Sequence, residues 1–159
     1  MSKAIILYYS RSGTTEKLAL RAQSDLNCDI LKIEPEDAYG NYVSSLIRVM
    51  GDKSKKVTPK FKTPVPELGA YNVILLGCPV WGMDMPDHVA EFLNHCKLKG
   101  KTVIPFVTFG RAGADKAVQT LKRVAEGAEI AHPFEYGIFK KDDYDKWIQS
   151  VKDAVSSKS

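Results

Sequence analysis

Short, nearly continuous apolar runs recur along the chain and predict strands that are buried on both faces. The clearest are residues 3–9 (KAIILYY), 73–77 (VILLG) and 103–109 (VIPFVTF). Residues 28–33 (CDILKI) alternate more between apolar and polar side chains, which is typical of a strand nearer an edge. Residues 128–134 (AEIAHPF) are the weakest candidate, because Pro133 has no N–H to donate to a central ladder. Such runs favour a parallel sheet covered by helices.

Between these runs the apolar positions change to a period of about 3.6, which predicts amphipathic helices. Leu18, Ala22 and Leu26 recur at four-residue intervals after Gly13. The same kind of spacing continues in residues 89–96, 118–125 and 147–155. A further helix is predicted over residues 42–50, and the proline-containing residues 51–69 are interpreted as an ordered surface loop.

The predicted elements follow the order β-α-β-α-β-α-β-α-β-α and form one domain over residues 1–159. Strands separated by helices connect through right-handed crossovers, which gives an α/β fold with a doubly wound parallel sheet and helices on both faces. In such a sheet, ligands bind outside the carboxyl ends of the strands, where the winding reverses. Functional residues are therefore expected directly after Tyr9, Gly77 and Phe109.

A hydroxyl-rich turn follows the first strand at a predicted helix start: Ser10, Arg11, Ser12, Gly13, Thr14 and Thr15. Unpaired N–H groups and the positive end of the helix dipole attract an anion there, and the hydroxyls donate to its remaining oxygens. Neither GxxxxGK[ST] nor GxGxxG is present, so a terminal phosphate monoester fits better than a nucleoside triphosphate or a dinucleotide. The alternative is that the hydroxyls only cap the helix.

The ends of the next two predicted central strands carry an aromatic loop and a glycine loop. The aromatic loop consists of Pro79, Val80, Trp81, Gly82 and Met83, and its tryptophan either stacks on a flat ligand or closes the top of the sheet. The other loop contains two glycines that let the backbone approach a ligand, and an arginine that offers a fixed positive charge. Its candidate residues are Thr108, Phe109, Gly110, Arg111 and Gly113.

The composition is that of a soluble globular protein, with 44% hydrophobic and 26% charged residues. The apolar runs fall far short of the roughly 20 residues that a membrane-spanning helix needs, and the first residues do not read as a signal peptide. Three widely spaced cysteines argue against both a disulfide framework and a zinc module. We therefore expect a cytoplasmic protein with no metal site and no membrane partner.

Basic residues outnumber acidic ones by 23 to 19, and the excess is uneven. Between Arg48 and Lys62 the sequence contains six basic residues against a single acid, Asp52. Such a stretch either steers an acidic partner or anionic ligand, or is a solvated loop whose lysines serve solubility. Nucleic acid is not an expected partner, because no helix-turn-helix or zinc pattern is present.

Three loop motifs together carry a family resemblance. The pattern [ST]-x-[ST]-G-x-T is matched by Ser10, Ser12, Gly13 and Thr15, while residues 79–82 contain Pro-x-Trp-Gly and residues 108–113 form the third loop. Over roughly its whole length the chain resembles the short-chain flavodoxins and flavodoxin-like FMN proteins. The resemblance implies a flavodoxin-like three-layer sandwich whose five-stranded parallel sheet has the order 2-1-3-4-5.

The same resemblance implies non-covalently bound FMN as the cofactor. The hydroxyls and N–H groups of residues 10–15 would hold its phosphate, and Trp81 would stack on the isoalloxazine. Gly82 would let its peptide turn so that a carbonyl accepts from flavin N5–H. Arg111, or the N–H groups of the glycines beside it, would stabilise the reduced flavin at its pyrimidine end.

The chain departs from the family pattern in two respects. It is basic where many electron-carrying flavodoxins are strongly acidic, and its third loop lacks the acid-and-aromatic pair that many of them have. Three hypotheses follow. The favoured one is an electron carrier that docks redox partner proteins near the exposed flavin edge. The second is an FMN-dependent NAD(P)H:quinone-type reductase, and the third is a flavin-free interaction module.

Overall fold

The computed structural model of the protein describes residues 3–36 and 61–158. These ranges contain the strands β1 (Ala4–Tyr8), β2 (Asp29–Lys32), β3 (Val73–Pro79), β4 (Thr102–Thr108), β5 (Glu129–Ile130) and β6 (Phe134–Tyr136). They also contain the helices α1 (Thr14–Leu26), α2 (Asp87–Asn94), α3 (Ala114–Val124) and α4 (Tyr144–Ser157). The helix predicted at 42–50, most of the loop predicted at 51–69 and most of the basic stretch lie outside the described residues.

The strands form one parallel sheet of the predicted order. The sequence of neighbours is β2-β1-β3-β4-β5, and β6 also pairs with β4. Every ladder is parallel, for example Ile5 opposite Ile74 between β1 and β3. The crossover back from β2 to β3 on the other side of β1 is the reversal of winding that the sequence predicted.

Successive residues of the central strands pack into two separate cores. Ile5 and Leu7 of β1 contact the core that contains α2 and α3, where Phe92 and Leu121 are fully buried. The intervening Ile6 belongs to the opposite core, which α1 and α4 cover. Because side chains of a strand alternate between the faces of a sheet, a continuous apolar run is buried on both sides. The predicted three-layer α/β architecture is therefore confirmed.

Among the described elements, the fifth strand differs from prediction, because it is split into β5 and β6. Val103 of β4 is opposite Ile130, whereas Phe106 is opposite Phe134, so one extra residue is inserted between the two short strands. Pro105 on β4 and Pro133 in the interruption both lack the N–H that a ladder uses. The weakness predicted from Pro133 is thus observed as a break. Trp147 Nε1 donates to the His132 carbonyl in this break, at 2.8 Å.

Candidate functional site

A cleft of about 530 Å³ lies at the carboxyl edge of the sheet, where the three predicted loops meet. Its volume is within the range of small-molecule and cofactor sites. Nine of the sixteen predicted site residues line it: Arg11, Ser12, Thr14, Pro79, Val80, Trp81, Thr108, Phe109 and Gly110. The remaining seven do not line it: Ser10, Gly13, Thr15, Gly82, Met83, Arg111 and Gly113.

The first loop presents the N-terminus of α1 to the cleft. The helix begins after Gly13, which has a left-handed φ of 100° and offers no side chain as a cap. Ser10 Oγ accepts from the Gly13 N–H at 3.1 Å and so shapes the turn itself, while Ser12 and Thr14 lie on the cleft wall. Within the described residues, the start of α1 has no side-chain capping hydrogen bond from its N-cap residue. The arrangement therefore favours an anion site over helix capping alone.

Glu16, the acidic residue in the first turn of α1, is paired with a cation. Glu16 accepts from the Tyr8 hydroxyl at 3.0 Å and forms an ion pair with Lys32 at 3.1 Å. The Lys32 ammonium and the Tyr8 hydroxyl lower the pKa of Glu16, while burial and Glu16 raise the pKa of Tyr8 to about 12. An anion at the helix N-terminus is therefore attracted by the helix dipole. The negative charge of the nearby Glu16 is already offset by Lys32.

A hydroxyl pair joins the first loop to the third. Thr15 and Thr108 are both buried, and their Oγ1 atoms are 2.7 Å apart in a hydrogen bond. Thr15 thus holds the start of α1 against the end of β4, and within the first loop Ser12 and Thr14 are the hydroxyl residues that line the cleft.

The aromatic loop is a tight turn that fixes the position of Trp81. Trp81 and Asp84 exchange two backbone hydrogen bonds, from Trp81 N to Asp84 O at 2.7 Å and from Asp84 N to Trp81 O at 3.1 Å. The two central residues, Gly82 and Met83, both have positive φ, 56° and 66°, which is the pattern of a type I′ turn. The role predicted for the Gly82 carbonyl stays a prediction.

Two further rings support the Trp81 ring from the protein side. Tyr9 contacts Trp81 edge to face with ring centroids 5.4 Å apart, and the Tyr9 ring is 4.3 Å from His88 in the same geometry. His88 is buried, with 1% of its surface exposed. Trp81 thus lines the cleft while the Tyr9 ring contacts it edge to face.

Burial of His88 is expected to make the fold sensitive to acid. Desolvation lowers the pKa of His88 from its ordinary 6.5 to about 4, so the folded protein keeps the ring neutral. Between these values the unfolded chain binds more protons, and stability falls as the pH falls. We expect the pH change from 7 to 5 to remove about 2 kcal/mol of unfolding free energy through this group.

Urea unfolding at both pH values measures this effect. His88→Leu should lose less stability on acidification than the wild type, whatever its stability at pH 7. His95→Gln, which changes a half-exposed histidine, is the control for the loss of a histidine as such. Equal acid sensitivity in His88→Leu and the wild type would contradict the assignment.

The third loop lines the cleft, but its arginine does not. Phe109 and Gly110 line the cleft, whereas Arg111 is exposed and its guanidinium carbon is 5.8 Å from the Phe139 ring centroid. Gly113, with φ of 103°, is the N-cap of α3 and packs closely against the aromatic loop. The structure thus brings Thr108, Phe109 and Gly110 to the cleft and places Arg111 beside Phe139.

Four cleft residues were missed in the sequence: Tyr136, Gly137, Ile138 and Lys141. They come from β6 and the turn after it, beyond the point where the fifth strand was expected to end. Tyr136 contributes an aromatic wall and Lys141 a cation, whose Nζ is 5.2 Å from the Tyr136 ring centroid. Apolar side chains at positions 134, 136 and 138 were the available signal, because they repeat with the period of a strand.

Two features are absent from the described residues. In residues 3–36 and 61–158 no group of three or more His, Cys, Asp and Glu side chains is placed to hold a metal ion. None of the helices in those ranges combines the length and the apolar character needed to cross a membrane.

The strand order and the cleft define the class of protein. A parallel sheet of order 2-1-3-4-5 with its cleft at the ends of β1, β3 and β4 is a flavodoxin-like doubly wound fold. A family profile described as flavodoxin matches residues 3–151. The chain belongs to the flavodoxin family.

Solved structures agree with this membership. A protein assigned as a flavoprotein from Bacteroides eggerthii is 26% identical, with a TM-score of 0.76 over 98% of this chain and 99% of that one. A flavoprotein in complex with FMN from Lactobacillus acidophilus is 20% identical, with a TM-score of 0.72 over 92% and 99%. Oxidised flavodoxin 2 from Bacillus cereus is 21% identical, with a TM-score of 0.62 over 99% and 100%. A comparison with curated proteins found no match.

Proposed function

We propose that this chain binds FMN in the cleft and carries electrons between redox partner proteins in the cytoplasm. The observation that carries the proposal is the meeting of an anion site and two aromatic walls in one cleft. The N-terminus of α1 suits a phosphate dianion, and Trp81 and Tyr136 suit a flat ring. Membership of the flavodoxin family and the FMN complex of the Lactobacillus acidophilus relative support the same cofactor.

The residues of the cleft fit the two ends of FMN. Ser12 and Thr14 supply hydroxyl donors beside the free N–H groups of α1, and Arg11 adds positive charge at the same end. Lys141 lies with Tyr136 in the segment after β6, where it favours negative charge on a bound ring. Bound FMN supplies one- and two-electron chemistry, while the protein sets its potential and its access.

Removing the phosphate from the ligand is expected to cost most of the affinity. Because the phosphate takes two or more charge-assisted hydrogen bonds, the apo-protein should bind riboflavin about 100-fold more weakly than FMN. Flavin fluorescence quenching, titrated with each ligand, measures both dissociation constants.

Thr14→Ala tests whether the phosphate binds at the first turn of α1. It should weaken FMN binding several-fold and leave riboflavin binding unchanged, because only the phosphate reaches the first turn of α1. Equal affinities for FMN and riboflavin in the wild type would contradict the phosphate site. Absence of quenching by either ligand would favour the flavin-free interaction module.

The second candidate function is an FMN-dependent NAD(P)H:quinone-type reductase. The observation that favours it is Lys141, which lies beside Tyr136 in the cleft and suits a phosphate of a nicotinamide donor. Adding NADPH or NADH to the FMN-loaded protein under nitrogen separates the two functions. Direct bleaching of the flavin absorbance supports the reductase, whereas a carrier stays oxidised until a reductase protein is added.

A further inference from the structure

A buried hydroxyl pair joins the two ends of the cleft through the interior of the protein. Thr15 is 2% exposed and Thr108 is 6% exposed, and a hydrogen bond of 2.7 Å connects their Oγ1 atoms. Thr15 lies in the first turn of α1, beside the residues of the anion site, whereas Thr108 ends β4 and lines the cleft. The two residues are 93 positions apart in the sequence, so the bond is a tertiary contact between two loops of the site.

Thr108 is also tied to the two aromatic walls of the cleft through the backbone. Its carbonyl accepts from the Val80 N–H at 2.9 Å, next to Trp81. On the other side of β4, Thr108 is opposite Tyr136, and the Phe109 N–H donates to the Tyr136 carbonyl at 3.1 Å. These main-chain bonds do not use the threonine side chain. Thr108 is therefore fixed to the aromatic end of the cleft by its backbone and to the start of α1 by its hydroxyl.

The hydrogen bond between the two threonines fixes a distance inside the site. Because a buried hydroxyl that loses its partner is costly, both side chains favour the geometry in which their Oγ1 atoms meet. That geometry sets how far the N–H groups at the start of α1 lie from the end of β4. A ligand that binds only one end of the cleft is insensitive to this spacing, whereas FMN has to reach both ends at once. The spacing is thus part of the preorganisation on which affinity for FMN depends.

We infer that Thr108 is a positioning residue for FMN: through Thr15, its hydroxyl holds the anion site at the distance from the aromatic walls that one FMN molecule spans. This inference rests on the proposed binding of FMN and adds the residue that lets both of its ends bind together. It also changes the role that the hydroxyl pattern predicted for Thr15. The Thr15 hydroxyl acts from behind the loop, while Ser12 and Thr14 are the hydroxyl residues of this loop that line the cleft.

Thr108→Val tests the inference, because it removes the hydroxyl and keeps the shape of the side chain. We would titrate each apo-protein with FMN and with riboflavin and follow the quenching of flavin fluorescence. In Thr108→Val the ratio of the riboflavin to the FMN dissociation constant should fall about 5-fold, as expected for the loss of one hydrogen bond. Affinity for riboflavin should stay near the wild-type value, because the backbone bonds to the aromatic walls remain. A general loss of stability would weaken both ligands and leave the ratio unchanged.

Further variants separate the pair from its two members. Thr15→Val removes the other half of the bond and should lower the ratio by the same factor, and the double variant should lose no more than either single variant. Thr108→Ser keeps the hydroxyl and should restore the wild-type ratio. The matched control is Thr102→Val, at the other end of β4, where a buried threonine hydroxyl donates to Glu129 Oε2 at 3.3 Å. Its ratio should equal that of the wild type.

Three outcomes would overturn the inference while FMN binding by the wild type stands. A wild-type ratio in Thr108→Val beside a reduced ratio in Thr15→Val would make Thr15 a direct ligand of the phosphate. Equal weakening of both ligands in Thr108→Val would assign its hydroxyl to the part of the flavin that FMN and riboflavin share. Additive losses in the double variant would show that the two hydroxyls act separately.

Two further results are distinguishable from these. If Thr108→Val does not fold, Thr108→Ala, which needs less space and also lacks the hydroxyl, takes its place in the titrations. A wild-type protein that binds neither FMN nor riboflavin would overturn the proposed function, and this inference with it.

Discussion

Replacing Trp81 by Ala is expected to weaken FMN binding about 30-fold, which corresponds to about 2 kcal/mol of stacking. Trp81 lines the cleft, and the two reciprocal hydrogen bonds of its turn together with the Tyr9 ring hold it in position. Because the ring is already fixed, little conformational entropy is lost when a ligand stacks on it. The same substitution should change the reduction potential of the bound flavin, since stacking differs between its oxidation states.

Fluorescence titration gives the affinity for FMN, and redox titration against dyes of known potential gives the reduction potential of the bound flavin. Trp81→Phe is the matched variant, because it retains a planar ring on the same turn and should keep most of the affinity. Unchanged affinity and potential in Trp81→Ala would assign the residue to closing the top of the sheet, which is the alternative that the sequence left open.

The location of the site was predictable because it depends on topology alone. Continuous apolar runs predict parallel strands, and such strands bring their carboxyl ends to one edge. Residues after Tyr9, Gly77 and Phe109 were therefore expected together, and the cleft is lined from all three loops. Periodicity carries this information without any knowledge of side-chain conformation.

Side-chain direction was not predictable in the same way. Ser10 and Thr15 match the hydroxyl pattern as well as Ser12 does, yet Ser10 bonds to the turn and Thr15 to Thr108. Arg111 is a plausible cation for the cleft, but it lies against Phe139. Each outcome depends on a partner that is distant in sequence or on a local turn geometry, and neither is encoded in spacing.

The missed wall of the cleft follows from the split strand. A single strand ending at Phe134 would have placed Tyr136 beyond the sheet, whereas the extra residue beside Pro133 shifts the register and lets β6 continue along β4. Tyr136 and Lys141 then reach the cleft. The interruption contains Pro133 and lies beside the part of β4 that contains Pro105. The sequence alone does not show that these two segments are neighbours.

Replacing Gly113 by Ala is expected to lower the free energy of unfolding by about 3 kcal/mol. Its φ of 103° is strained for any residue with a Cβ, and the added methyl would lie 2.5 Å from Val80 Cγ1. The backbone strain costs roughly 1–2 kcal/mol, and overpacking adds about 1–3 kcal/mol. Because Val80 precedes Trp81 on the cleft wall, the clash should also displace the aromatic turn and weaken FMN binding.

Two other glycines of the same loops separate strain from clash. Gly13 has nearly the same φ, 100°, but open space where its Cβ would be, so Gly13→Ala should cost only about 1–2 kcal/mol. At Gly110 a methyl meets open space and φ is not left-handed, so Gly110→Ala should change stability by less than about 1 kcal/mol. Val80→Ala in the Gly113→Ala background should restore the part due to clash. Chemical unfolding of the four variants tests this order of unfolding free energies. Equal losses of unfolding free energy in Gly13→Ala and Gly113→Ala would show that the clash with Val80 adds nothing to the cost at Gly113.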